Sequence, residues 1–503
     1  MKRARPLRGL VVAACLTALA GWPPAPAAAQ PIPAHPSDLR FEPLEFDPPD
    51  AASHRHVLSN GVVAFVVPDH TLPLVTVSVL VRTGSHLEPP GKAGLASLVG
   101  GQMRAGGTAG LGPGDFDEEV AFLAANVRSG IDDTVGRASM NCLTKDLDET
   151  LDLFFEMLRN PRFDTDRLDL AKSQLLQQME RRNDSTQSIE QREWGRLLRG
   201  DRHFTTQPVT RASVDAITRD DLVAFHREHY HPGRFVFAIS GDVEPEEILP
   251  KIEARLDGWP ATGEAADAVP EPNHQPRPGL YLVDKDDVNQ GRVSIGHLGT
   301  MRDNPDRYAL TVMNDILGGG GFSARLLTRI RSDEGLAYGA YSSFGLGTYY
   351  EGTFRASFQS RSETVARAAA IVLEEIDRIR SEPVSEAELA TSIASFVETF
   401  SRNFSSATST AGLFANDEYT GRDPSYIATY RERIASVTAD EVLRVAREYL
   451  QPDRLVLLVV GDLATIEEGD PDNPDYTLDR LAEGAATRIP LPDPFTMEYP
   501  SSP

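Results

Sequence analysis

Few residues in this sequence have types and spacing suited to chemistry. His226-Arg227-Glu228-His229 carries two imidazoles on a short stretch, and paired imidazoles can hold a metal. These are three apart with no further acidic ligand evident nearby, so a structural or solvent-facing role is the reading. Gly318-Gly319-Gly320-Gly321 precedes Phe322. Four glycines let a backbone approach a ligand closely. They read either as a flexible loop between helices or as an edge onto which an extended ligand adds as a strand. A phosphate role fits less well, because no Gly-Lys-Ser/Thr follows. Cys142 has no nucleophile signature around it, and Gly-x-Ser-x-Gly is absent. By residue type alone, Arg331 and Tyr338 are a surface arginine at a helix end and a tyrosine in a strand.

An internal repeat sets the elements that must position these residues. Val214-Asp215-Ala216-Ile217-Thr218 matches Ile434-Ala435-Ser436-Val437-Thr438, and His231-Pro232-Gly233-Arg234 matches Gln451-Pro452-Asp453-Arg454. Both copies end in Gly-Asp, at Asp242 and Asp462, with an offset of 220 throughout. The same offset puts Ala446 and Tyr449 where His226 and His229 stand. Each copy closes with an amphipathic helix (219–230; 439–450), a proline and an apolar strand (235–240; 455–460). Each opens with two strands (62–67 and 75–81; 279–283 and 292–297). Helical patterns cover 147–159, 166–183, 364–381 and 386–400, and another covers 323–330. The expectation is an α+β fold of two repeated domains, each a mostly antiparallel sheet with helices packed on one face. Expected boundaries are 51–258 and 279–463, joined by a Pro- and acid-rich linker over 259–278. An irregular segment covers 30–50, and an acidic, proline-punctuated tail covers 464–503.

Residues 1–29 read as an export signal: Lys2, Arg3, Arg5 and Arg8, then an apolar run, then Ala27-Ala28-Ala29. The run is short for a membrane anchor. Lipidation at Cys15 is the competing reading. The expected location is the periplasm, with lipid-anchored or secreted forms as alternatives. The whole chain carries a net charge of −24, and removing four basic and no acidic residues takes it to −28. That field repels phosphate backbones, so nucleic acid is not an expected partner. No later segment is apolar enough to span a bilayer.

Several stretches carry a resemblance. They are Leu58-Ser59-Asn60-Gly61, Gly91 to Thr108, the glycine run with Phe322-Ser323 and Arg325-Leu326, and Arg331 to Tyr338. Together they resemble the pitrilysin/insulinase (M16) zinc-peptidase family of the short two-domain type. In that family His-x-x-Glu-His supplies two zinc ligands and a base. On this sequence those positions fall on Ser97, Gly100 and Gly101, which can do neither job. A third ligand, a glutamate, is expected where Leu170-Ala171-Lys172-Ser173-Gln174 stands. The resemblance therefore implies no metal bound by this chain. It also implies a role for the Arg331–Tyr338 pair, seven apart as in the family. A tyrosine hydroxyl can donate to the charge developing on an attacked peptide carbonyl, and a guanidinium can orient either group. Gly318 to Gly321 and Phe322 become candidate substrate contacts.

The resulting expectation is a non-catalytic subunit of a heterodimeric zinc peptidase. A partner subunit with His-x-x-Glu-His holds the zinc, and peptide or unfolded protein is the substrate. The alternatives are an inert binding or scaffold subunit of a larger envelope complex, and a peptidase with an unrecognised metal site.

Overall fold

Two sheets organise the chain, and each takes its central strand from the end of its own repeat. In the computed structural model, which describes residues 35, 39, 45–260, 268–481 and 484–500, the first sheet holds β1 (Arg55–Val57), β2 (Val63–Pro68), β3 (Leu74–Val81), β4 (Asn126–Ile131), β5 (Gly136–Leu143) and β6 (Phe235–Gly241). The second holds β7 (Gly279–Asp284), β8 (Gln290–Leu298), β10 (Ala337–Phe344), β12 (Thr353–Arg361), β13 (Val456–Gly461) and β14 (Thr487–Arg488). A small parallel pair, β9 (Thr300–Met301) and β11 (Leu346–Gly347), stands apart. The strand orders are β1-β2-β6-β3-β5-β4 and β10-β12-β8-β13-β7-β14. Read from opposite ends, they are the same order. In each, the last strand of the repeat runs parallel to the first and antiparallel to the second.

The closing helices show why the repeat is legible. Thr218 caps the helix Arg219–His229 by accepting from the Asp221 amide, and Asp221 reciprocates. Thr438 and Glu441 make the same box 220 residues later. Pro232 and Pro452 then open short turns into β6 and β13. Apart from Ser240 in β6, both strands are apolar, because both faces are covered. Phe235, Phe237 and Ile239 enter the first core, while Val236 and Ala238 face the other way. Leu457 and Val459 enter the second core, while Val456, Leu458 and Val460 face the other way.

Each sheet thus packs its own helices on one face. The opposite face receives a helix from the other repeat. Ala407–Thr420 lies over β6 and β2, burying Phe414, Ala415 and Tyr419 against Phe65 and Val236. Thr186–Arg199 lies over β13 and β8, burying Ile189, Trp194 and Leu198 against Val456 and Leu458. Polar contacts pin both exchanges. Glu190 accepts from Arg292 (2.7 Å), Ser294 (2.6 Å) and Arg355 (2.8 Å). The Tyr419 hydroxyl donates to the carbonyls of Thr134 and Val81. Phe46–Pro503 accordingly form one unit.

The tail is more regular than its composition suggests. Leu463–Glu468 is helical, β14 pairs with β7, and Ile489 is buried against the second sheet. The expected export signal and residues 261–267 of the linker lie outside the described residues. Residues 268–278 have no regular structure, and are held where His203 and His274 donate to the carbonyls of Pro270 and Leu197.

Candidate functional site

Ser97, Gly100 and Gly101 lie on the helix Leu95–Ala105, packed on edge strand β4. Ser97 and Gly101 face outward, and Gly100 is buried. A Cβ at Gly100 would sit 2.3 Å from the Ile131 amide nitrogen and 2.6 Å from the Gly130 carbonyl carbon, both backbone atoms. Ser129 closes the contact by donating to the Gly100 carbonyl at 2.6 Å. The helix and strand have therefore met at a distance only glycine allows. On the helix Thr165–Glu180, Lys172 donates to the Ile217 carbonyl, and Leu170 is exposed. These residues do not fit a zinc ion. Among the described residues, no group of three or more His, Cys, Asp or Glu side chains could hold a metal.

His226 does not ligate either. It is buried, donates from Nε2 to the Leu158 carbonyl at 2.8 Å, and stacks on Tyr230. Burial drops its imidazole to about 4. His229 is buried beside the Phe225 ring.

The second repeat assembles a different cluster. The Arg331 guanidinium lies 4.4 Å from the Tyr338 ring centre and 5.0 Å from that of Phe322. Such stacking orients a guanidinium without neutralising it. Tyr338 is 82% exposed and Phe322 78%. Two large aromatic rings left in water around one cation mark a contact surface. The fold brings them together through two wide π-helical turns, Asp315–Gly319 and Thr328–Asp333, a distortion common at functional sites. Arg325, buried between them, clamps Glu388 with two bonds. Burial pushes that carboxyl up, but Arg325 and Ser385 outweigh it and hold it at about 2.

The glycine run corrects one expectation: it is not an extended edge for strand addition. Gly318 and Gly319 are helical, and the Gly320 amide donates back to the Asp315 carbonyl at 2.8 Å. Gly318 is buried, and a Cβ there would sit 2.5 Å from the Ser342 amide. Side chains at Gly319 and Gly320 would meet Asn314 and Asp315. Only Gly321, at φ +62, opens onto free space, and it turns Phe322 outward beside Arg331. Beyond Tyr338 runs an open groove of about 430 Å³, with Tyr341, Ser357, Gln290 and Arg361 in its wall. The sequence reading missed this groove, because the register joining β8, β12 and β10 is not visible in a linear pattern. Among the described residues no contact joins Ser97 or Gly101 to Arg331 or Tyr338.

The family model described as insulinase (peptidase family M16) matches residues 64–194, and the one described as peptidase M16 inactive domain matches 216–396. A protein of Mycobacterium tuberculosis named as an uncharacterised zinc protease is 28% identical over 71% of this chain and 86% of its own. The crystal structure of a peptidase M16 inactive domain from Pseudomonas fluorescens superposes with a TM-score of 0.73, at 24% identity, over 81% of this chain and 97% of that one. The periplasmic protease PqqL from Escherichia coli gives 0.68 at 16% identity, over 86% of this chain and 49% of that one. The two family models fall in succession along both repeats, and this chain belongs to the M16 peptidase family.

Proposed function

We propose that this chain is the non-catalytic, substrate-binding subunit of a heterodimeric M16-type zinc peptidase in the bacterial cell envelope. One observation carries the proposal. Arg331 and Tyr338 stand stacked and exposed, in a chain whose zinc-motif helix has closed against β4. A partner subunit with His-x-x-Glu-His would hold the zinc and the base. This chain would supply the Tyr338 hydroxyl as a donor to the developing carbonyl charge, with Arg331 orienting it. Phe322 and the groove beyond Tyr338 would hold the flanking peptide. The length relation to PqqL supports this reading, since the chain spans about half of that protein. A periplasmic site rests on the signal-like residues 2–29. It is consistent with the absence, among the described residues, of any helix long and apolar enough to cross a membrane.

The test is reconstitution with candidate M16 partners and cleavage of an unfolded peptide. Tyr338→Phe should lower kcat by about 10² to 10³, as loss of one such donor does. Arg331→Ala should lower it comparably. If both variants bind the partner and turn over at the original rate, the chain is an inert scaffold subunit.

A further inference from the structure

Each exchanged helix covers only part of its sheet. Ala407–Thr420 packs on β2, β6 and part of β3, leaving the β5–β4 side of that face open. Thr186–Arg199 packs on β13 and β8, leaving the β12–β10 side open. The two open half-faces are related by the repeat, and their cross-strand register is the same. Ser78 pairs with Ser139 and Ser139 with Arg128 in the first sheet. Ser294 pairs with Ser357 and Ser357 with Tyr341 in the second. Each half-face forms a groove, of about 410 Å³ beside Arg128 and Arg137, and of about 430 Å³ beside Arg292 and Arg361.

The charge of these grooves is unlike that of the chain. The sequence has 74 acidic and 50 basic residues, yet among the described residues no Asp or Glu lines either groove. Two arginines line each. Arg292 is committed to the buried Glu190. Arg137 lies 3.6 Å from Asp132, both exposed, and such a pair is weak. Among the described residues, the exposed Arg128 is bonded only to the neutral Asn126, and the exposed Arg361 has no carboxylate partner. An acidic chain that keeps acids out of two matching grooves, and leaves cations in them, presents a surface complementary to negative charge.

Along each strand under the grooves, same-face side chains recur about every 7 Å. An extended peptide repeats at the same interval. We infer that the two open half-faces bind extended polypeptide segments rich in Asp and Glu, with Arg128 and Arg361 as the residues that read the charge. This rests on the proposed peptide-binding function and names its substrate class.

The test uses the full chain and fluorescence anisotropy of a labelled peptide alternating glutamate with threonine, beside its glutamine and lysine counterparts. The glutamate peptide should bind about tenfold more tightly than the glutamine peptide, with the difference screened away by salt. Arg128→Glu and Arg361→Glu should each weaken glutamate-peptide binding about fivefold, and Arg361→Lys should keep most of it. Both side chains are exposed, so thermal midpoints should not move. Should a charge reversal misfold, Arg128→Gln and Arg361→Gln give the same comparison with a smaller effect. Equal binding of the glutamate and glutamine peptides overturns this inference and leaves peptide binding standing. Binding of none of the three peptides overturns both. Competition by a single-stranded oligonucleotide as effective as that by the glutamate peptide also overturns it.

Discussion

At Gly100 packing adds to composition: the position that the family resemblance sets against the zinc motif has no room for a side chain. Restoring the motif by Ser97→His, Gly100→Glu and Gly101→His would drive a side chain into the backbone of β4. Gly100→Ala alone should destabilise the protein by about 1–3 kcal/mol through overpacking. The triple variant should be less stable still, and elemental analysis should find no stoichiometric zinc. Tight zinc binding by a stable triple variant would refute the packing argument. His226 gives a second residue-level prediction. Its imidazole titrates at about 4 in the fold and near 6.5 when unfolded. Between those values the unfolded chain holds a proton that the folded chain excludes. Stability therefore falls as pH drops from 6.5 to 4, by on the order of 3 kcal/mol. Urea unfolding of His226→Asn should show a shallower slope across that window, and an unchanged slope would assign the effect to other groups. At this scale the residue types at 97, 100 and 101 could be read directly, because serine and glycine offer zinc neither an imidazole nor a carboxylate. The sequence was silent on Arg128 and Arg361, whose meaning depends on which strands lie side by side.

At the level of elements, the repeat was legible because its closing helix and strand use strong local chemistry. Thr-x-x-Asp and Thr-x-x-Glu boxes start the helices, prolines stop them, and β-branched residues follow. The exchanged helices escaped notice for a physical reason. Thr186–Arg199 buries two glutamates among its few apolar residues, Glu190 against the other sheet's Arg292 and Glu193 against Arg192 of its own helix, so its pattern reads as polar. β4, β5 and β12 escaped for the complementary reason. Their open face carries Ser, Asn, Gln and Arg, a weak strand signal. Glu190 tests the exchange directly. Its carboxylate is fully buried and satisfies Arg292, Arg355 and Ser294 together. Glu190→Ala should cost roughly 3 kcal/mol in denaturant unfolding, because it leaves two guanidinium groups without their anion. A loss below about 1 kcal/mol would mean that apolar contacts alone dock the helix.

For the whole molecule, exchange of helices makes two repeats into one folding unit. If the chain were cut in the linker, the first half would expose Phe65, Val67, Leu80 and Val236 from its sheet. It would also expose Ile189, Trp194 and Leu198 from its helix. At about 2 kcal/mol each, these seven side chains amount to roughly 14 kcal/mol of lost burial. That lies near the top of the net stability of about 5–15 kcal/mol that a domain commands. Neither half should therefore fold alone, although each contains a complete sheet and its own core. The intact chain should melt in one calorimetric transition with equal van't Hoff and calorimetric enthalpies. Segments 46–260 and 268–500, expressed separately, should be insoluble or molten and should recover structure when refolded together. Two separable transitions, or a well-folded isolated half, would show that the repeats are independent domains that merely touch. The same cooperativity bears on function. A chain stapled at two opposite sheet faces holds both arginine-lined grooves and the Arg331–Tyr338 stack on one folded unit, so unfolding that removes one should remove all three together.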